Sequence, residues 1–320
     1  MRLPLGVTDD AHCLTATRRG IPRRVKFVTF RIAKLYCRAL RWRFQTVASD
    51  LSEAVAMTLL LTKVDASDIC QGSDWVVEDE DALAEHVARI AVGQYRHVAK
   101  VLAGTGSAPP PSDDEVKADA ITLLTAEDPE KPWHRDGWLF QAISWIAAHT
   151  GGGAAIRPPH LIKAHKGFDG LQLELSADGA VQAVIIFEDK ATENPRDTIR
   201  DDVLPGIAKL EKGERRNELG QEVAGLLETQ VRTYPDLDVD AAVQQIVWKE
   251  ARRYRVAITV ASPHDGDAKR KALFKDYDTC APGDLQRRGG ETMMIPELRK
   301  WMHAFAGLVI AKIKAMPADV

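Results

Sequence analysis

Residues 167–190 constrain the fold of this chain more than any other segment. Asp178 and Gly179 lie midway between two runs rich in Leu, Val and Ile. An Asp-Gly pair in that setting is typical of a two-residue β-hairpin turn. With these two residues as the turn, the numbers of paired residues keep a constant sum along the ladder. The pattern therefore predicts that Asp169 lies directly opposite Glu188.

Lys190 follows Glu188 by two residues and therefore points to the same face of its strand. Two carboxylates that are opposed across a strand pair repel each other unless a positive charge lies between them. A divalent cation would neutralise this pair, with Lys190 beside it. Oxygen ligation by Asp169 and Glu188 favours Mg²⁺, with Mn²⁺ as a substitute. Such an ion acidifies bound water and neutralises charge on a phosphate oxygen, and Lys190 could orient the attacking water.

The surrounding pattern predicts an α/β protein with a small mixed sheet flanked by helices. Helices are predicted over 81–103, 115–125, 137–149, 195–212 and 214–230, and from Pro296 to the end of the chain. Pro205 is expected to bend or divide the fourth of these. A buried strand is predicted over 254–261. The order from residue 137 is thus helix, strand, strand, helix, helix, strand and helix.

These motifs resemble the PD-(D/E)XK superfamily of nucleases, which has a restriction-endonuclease-like fold. The family signature is an Asp at a strand start, followed by (Asp/Glu)-x-Lys on the next strand. Asp169 matches the first position, and Glu188-Asp189-Lys190 matches the second. The order of elements from residue 137 to 261 also matches the family core. The resemblance implies Mg²⁺-dependent hydrolysis of DNA, with Asp169, Glu188 and Lys190 as catalytic residues.

Two positions depart from the family pattern. Many members carry an acidic residue on the helix before the hairpin, where this chain offers Gln141. Its carbonyl oxygen can bind a metal, so Asp169, Glu188 and Gln141 are the predicted metal ligands. Phe168 replaces the family's proline before the Asp.

The segments KGFDGLQLE and IIFEDKAT also resemble the HamA-type (Hachiman) nuclease subunits of bacterial antiphage helicase–nuclease systems. This likeness covers residues 137–212. It implies a role in antiviral defence and a helicase or ATPase partner protein.

Four cations near the motifs are candidate contacts for the DNA backbone, because such contacts come mainly from Lys and Arg. Arg196 and Arg200 follow the hairpin, and Lys163 and Lys166 precede it. A solvated charged surface explains each of them equally well.

Residues 1–46 hold eleven Lys and Arg against two Asp, a net charge of +9. Because the whole chain carries −3, the remainder carries −12. This basic N-terminal arm is the predicted DNA-recruiting surface, although it could instead pack on the protein. Residues 47–110 are predicted to form a helical part that ends in a Pro-rich linker, and 111–320 the nuclease-like domain.

Four scattered cysteines and the lack of a long apolar run predict a cytoplasmic protein with no membrane contact. Three functions remain open at this point. The first is the nuclease. The second is a catalytically inactive DNA-binding or regulatory subunit of the same fold, which Gln141 favours. The third is a structural subunit, including a homo-oligomer, that assembles through its N-terminal helices and the C-terminal apolar helix. Alternatively, Glu188 and Lys190 form only a surface ion pair, which contributes little to stability and supports none of these functions.

Overall fold

Seven strands of the chain form one mixed sheet. The computed structural model describes residues 58–64, 68–153, 155–163, 167–177, 179–235, 237–246, 251–264 and 266–318, so the predicted basic arm lies outside it. The strands are β1 (Leu59–Lys63), β2 (Ser73–Val77), β3 (Ala155–Ile156), β4 (Gly170–Leu175), β5 (Val181–Lys190), β6 (Arg252–Val260) and β7 (Arg288–Met294). Their order across the sheet is β1-β2-β7-β6-β5-β4-β3.

The centre of the sheet is parallel and both edges are antiparallel. β5, β6, β7 and β2 run parallel to one another, whereas β1 pairs antiparallel with β2 at one edge. At the other edge, β3 and β4 continue antiparallel from β5. The predicted α/β class with a mixed sheet flanked by helices is confirmed.

The β4–β5 hairpin has the predicted register at its far end but not the predicted turn. Gly170 pairs with Phe187, so Asp169 comes one step beyond this pair and Glu188 holds the position opposite. At the turn, the predicted pair of Ala177 with Ala180 is wrong, because the Ser176 N–H donates to the Ala180 carbonyl at 2.8 Å instead. A bulge next to Leu175 offsets the longer loop and restores the register.

Gly170 is required by close packing beside Asp169. A Cβ atom at this position would lie 2.6 Å from the ring of Phe187, which is buried. We expect Gly170→Ala to lower the free energy of unfolding by about 1–3 kcal/mol, because the core cannot accept the added atom. Gly307→Ala is the matched control, since its Cβ would meet no atom within 4 Å. Urea unfolding of both variants tests this expectation, and equal effects would contradict it.

Helices cover both faces of the sheet. They are α1 (Glu80–Ala91), α2 (Tyr95–Leu102), α3 (Asp114–Leu124), α4 (Trp133–Thr150), α5 (Pro195–Thr198), α6 (Leu204–Glu211), α7 (Arg216–Glu228), α8 (Val239–Ile246), α9 (Asp267–Leu273), α10 (Tyr277–Cys280) and α11 (Leu298–Ala315). α1–α4 and α11 pack in one core with Phe187 and Met293. Residues of α6 and α7 pack in the second core, with Leu171, Val184 and Ile186 from the hairpin.

Several helices differ from the prediction in detail. The single helix predicted over 81–103 is divided in two at Gly93, whose φ of +79° no right-handed helix contains. Between α5 and α6, residues Ile199–Val203 form a π-helical turn just before Pro205. This wider turn fits the proline, which cannot donate to the preceding turn.

Residues on both sides of the predicted boundary at 110/111 share one core. β1 and β2 belong to the same sheet as the hairpin, so the described part of 47–110 is not only helical. α1, before the boundary, packs against α3 and α11, after it. The apolar stripe of α11 is buried in that core rather than presented for assembly. Among the described residues, no helix combines the length and apolar character needed to cross a membrane.

Candidate metal centre

Asp169 lies at the entrance to β4 and is held by two hydrogen bonds. The side-chain Nε2 of Gln141, from the middle of α4, donates to its Oδ1 at 2.6 Å. The backbone N–H of Asp189 donates to its Oδ2 at 2.9 Å. Burial raises the pKa of Asp169 above its usual value, although the charge of Lys190 and these hydrogen bonds act in the opposite direction. Both oxygens keep lone pairs for a further partner.

The segment before Asp169 is fixed by two arginines. Arg157 donates to the carbonyl oxygen of Phe168 and pairs with Glu222. The guanidinium of Arg215 lies 4.3 Å from the centroid of the Phe168 ring, which is buried. Phe168 thus anchors the segment that leads into Asp169. The carboxylate that follows it is carried by a rigid element.

Glu188 and Lys190 face the same side of β5, as predicted. The ammonium of Lys190 lies 3.4 Å from Oε2 of Glu188 and 3.2 Å from Oδ2 of Asp202. Burial, and then the charge of Asp169, raise the pKa of Glu188 to about 7. Burial alone would lower the pKa of Lys190, but Glu188, Asp169 and Asp202 outweigh it and raise that pKa above its usual value. Because one ammonium lies at ion-pair distance from two carboxylates, these side chains form one electrostatic cluster.

Asp202 was not predicted and completes this cluster. Its side chain is 67% exposed and projects from the π-helical turn Ile199–Val203. With three carboxylates and one ammonium, the four side chains carry a formal charge of −2 when all are ionised. One divalent cation would balance it.

The middle residue of the Glu-x-Lys motif, Asp189, faces the opposite side of the sheet. It is buried, and its Oδ1 accepts a hydrogen bond from Ser144 Oγ on α4 at 2.7 Å. Arg255 on β6 donates to the same hydroxyl at 2.9 Å. Burial raises the pKa of Asp189 to about 8, although the charge of Arg255 lowers it. Asp189 therefore ties β5 to α4, while its N–H holds Asp169.

Asp169 and Glu188 are the two carboxylates that a metal would use. Within the described ranges, no group of three or more His, Cys, Asp and Glu side chains could hold a metal ion. Gln141 turns its amide nitrogen, not its oxygen, toward Asp169. The residues fit Mg²⁺ all the same, because this ion commonly uses one or two protein carboxylates and keeps several waters.

Among the described residues, the predicted DNA-contacting cations have hydrogen-bond and ion-pair partners other than Asp169 and Glu188. Arg196 donates to the carbonyl oxygens of Leu273 and Lys275. Arg200 pairs with Asp201 at 2.6 Å and with Asp197 at 2.9 Å.

Of the two lysines that precede the hairpin, Lys163 donates to the carbonyl oxygen of Thr125 at 2.7 Å, and its side chain is only 14% exposed. Lys166 lies outside the described residues. The described cations therefore offer little unpaired positive charge to a phosphate backbone at these positions.

Comparison with protein-family models and with curated proteins gives no match for this sequence. The interpretation of the cluster therefore depends on its own geometry and charge.

Proposed function

We propose that this chain is a Mg²⁺-dependent deoxyribonuclease with a restriction-endonuclease-like core. One observation carries the proposal: the half-buried carboxylates of Asp169 and Glu188 hold opposite positions at the end of the β4–β5 hairpin, with the ammonium of Lys190 3.4 Å from Glu188. Withdrawing like charges together from water is costly, and a divalent cation removes that cost. Half-buried, electrostatically perturbed groups of this kind are typical of functional sites.

Asp169 and Glu188 would hold the cation. When bound, the ion supplies Lewis-acid stabilisation of a phosphoryl group and acidifies water. Gln141 and the N–H of Asp189 keep the Asp169 carboxylate oriented, so that little reorganisation accompanies binding. Lys190 stays protonated in this setting and presents its charge where negative charge grows on the phosphate.

A catalytically inactive DNA-binding or regulatory subunit is the second candidate. The observation that favours it is the hydrogen bond from Gln141 to Asp169, because it leaves two carboxylates where many nucleases of the family use three. DNA binding that does not change with the divalent ion supplied, and that no ion converts into cleavage, would favour this candidate.

DNA recruitment in this proposal depends on the basic arm at residues 1–46. The described cations beside the carboxylates are already paired, and affinity for nucleic acid comes mainly from phosphate neutralisation. A defence role with a helicase or ATPase partner extends the proposal, because a partner could restrict a hydrolytic activity that is harmful when free.

The proposed function is tested by a cleavage assay with plasmid, linear duplex and single-stranded DNA. Each substrate is incubated with Mg²⁺ or with EDTA, using the wild-type chain and Asp169→Asn. We expect cleavage by the wild type only in Mg²⁺ and none by Asp169→Asn. Equal cleavage by the two proteins would place the activity elsewhere, and no cleavage of any substrate would favour the inactive subunit.

Mg²⁺ affinity should depend on pH through Glu188. Its pKa of about 7 means that the metal must displace a proton in acidic solution. The apparent association constant should therefore fall by about tenfold per pH unit below pH 7 and level off above pH 8. Calorimetric titration with Mg²⁺ in buffers of different ionisation enthalpy measures both the affinity and the released protons. Binding that is independent of pH, without proton release, would contradict this expectation.

A further inference from the structure

A cleft lies on the α4 face of the sheet, beside the last turn of α4, and its lining includes none of the carboxylates of the metal centre. It has a volume of about 680 Å³ and is lined by β1, β2, β4, β5, β6, β7 and the last turn of α4. This volume is within the range of small-molecule sites. Its floor includes Gly289, a strand residue without a side chain, and such glycines commonly mark the close approach of a ligand to the backbone.

One wall of the cleft carries a preorganised carboxylate. Oε2 of Glu291 accepts hydrogen bonds from the Ser73 N–H at 2.8 Å, from the Ser73 hydroxyl, and from Nε1 of Trp75 at 3.1 Å. Among the described residues, no donor reaches its other oxygen, Oε1. Glu291 is therefore fixed by one oxygen and offers the second to an N–H donor of a ligand.

The cleft also contains positive charge. The guanidinium of Arg255 lies 5.0 Å from the ring centroid of Trp75 and 4.5 Å from that of Phe187, and it donates to Ser144. Within the described part of the chain, neither Arg255 nor Lys63 has a carboxylate at ion-pair distance. The neighbouring Arg253, by contrast, is paired with Glu174 at 2.6 Å. Two cations thus remain for an anionic group.

Apolar side chains complete the lining between these polar groups. Leu59, Leu61 and Ile185 contribute to the walls, and the side-chain amides of Gln71 and Gln172 stand among them. The ligand that fits has a flat ring with an amino donor, a polar spacer and an anion. A nucleoside monophosphate has all three.

We propose that this cleft binds a nucleoside monophosphate whose base carries an exocyclic amino group. The amino group donates to Oε1 of Glu291, and the phosphate pairs with Arg255 and Lys63. The site is separate from the carboxylate cluster and goes beyond the proposed nuclease function, so its occupancy can be measured without cleavage.

Calorimetric titration in EDTA tests the proposal, because the metal-dependent reaction is silent there. Cytidine and adenosine monophosphates should bind with a stoichiometry of about one per chain. Uridine monophosphate, which lacks the amino group, and adenosine, which lacks the phosphate, should each bind about tenfold more weakly or worse. Equal affinity for the cytidine and uridine nucleotides would overturn the role of Glu291.

Two variants locate the ligand. Glu291→Gln should remove the preference for cytidine over uridine monophosphate. Gly289→Val should abolish binding by filling this part of the cleft; an added Cβ there lies at ordinary contact distance, 3.4–3.6 Å, from its neighbours, and circular dichroism shows whether the variant stays folded. Gly225→Val on α7, with no atom near its added Cβ, is the control that keeps full binding. Wild-type affinity in Gly289→Val, or no binding by any nucleotide at millimolar concentration, would overturn the proposal.

Discussion

Replacing Glu188 with glutamine is expected to abolish Mg²⁺-dependent cleavage and to stabilise the metal-free protein. Cleavage should fall by at least about a hundredfold, because one of the two carboxylates that bind the ion is lost. The pKa of Glu188 is raised to about 7, so its ionisation opposes folding as the pH rises from about 4.5 to 7. Above pH 7 the neutral amide removes this cost, which we expect to amount to about 1–3 kcal/mol.

The measurements are cleavage of plasmid DNA in Mg²⁺ and thermal unfolding in EDTA at pH 8 and at pH 4. The stabilising effect should be present at pH 8 and absent at pH 4, where the wild-type carboxyl is protonated. Mg²⁺ should raise the melting temperature of the wild type but not of the variant. Glu228→Gln, an exposed position at the end of α7, is the control for removal of one negative charge. Lower stability of Glu188→Gln at pH 8 would mean that the ionised carboxylate stabilises the fold.

Replacing Lys190 with methionine should separate catalysis from metal binding. Cleavage should fall by about a hundredfold or more, because the ammonium that faces the growing phosphate charge is removed. The charge of Lys190 lowers the pKa values of Asp169 and Glu188, so both values rise further in the variant. At pH 9, the affinity for Mn²⁺ should equal or exceed that of the wild type, since a repelling cation is gone.

Mn²⁺ titration at pH 9 and plasmid cleavage, performed on the same preparation, provide this comparison. Lys209→Met on α6 removes an exposed lysine and serves as the matched control. If Lys190→Met loses Mn²⁺ binding together with cleavage while it stays folded, Lys190 supports the carboxylates rather than the reaction.

The hairpin register was predictable because apolar alternation defines it. Leu171, Val184 and Ile186 belong to one core whereas Phe187 belongs to the other, and a slip of one residue would exchange the two faces. The turn was less predictable. Gly179 has a φ of +86° in a three-residue loop, and the same Asp-Gly letters suit either loop length. The bulge next to Leu175 compensates for the longer loop, so the register at Asp169 and Glu188 is the same for either loop length.

Gln141 and Asp202 join the site from elements outside the hairpin, and the sequence did not predict their roles for different reasons. The position of Gln141 on its helix pointed to the site, and its amide does contact Asp169, but the sequence alone could not orient that amide. Asp202, which pairs with Lys190, lies in the π-helical turn that follows the hairpin. Proline alone indicates a bend and does not specify this turn.

Strands β2 and β7 were also not predicted, because polar residues interrupt their apolar patterns. Asp74 on β2 pairs with the fully buried Arg270 at 3.0 Å. On β7, the buried Arg288 donates to the carbonyl oxygen of Ile69 at 2.5 Å. These charges have partners that are distant in sequence, so a local pattern suggests loops instead.

Mn²⁺ binding is the most direct test of the central claim that Asp169 and Glu188 together hold one divalent ion. Electron paramagnetic resonance at pH 8 counts free Mn²⁺ as the ion is titrated into the wild type and into the double variant Asp169→Asn/Glu188→Gln. We expect about one bound ion per wild-type chain and none in the folded double variant. Equal binding by the two proteins would contradict the claim.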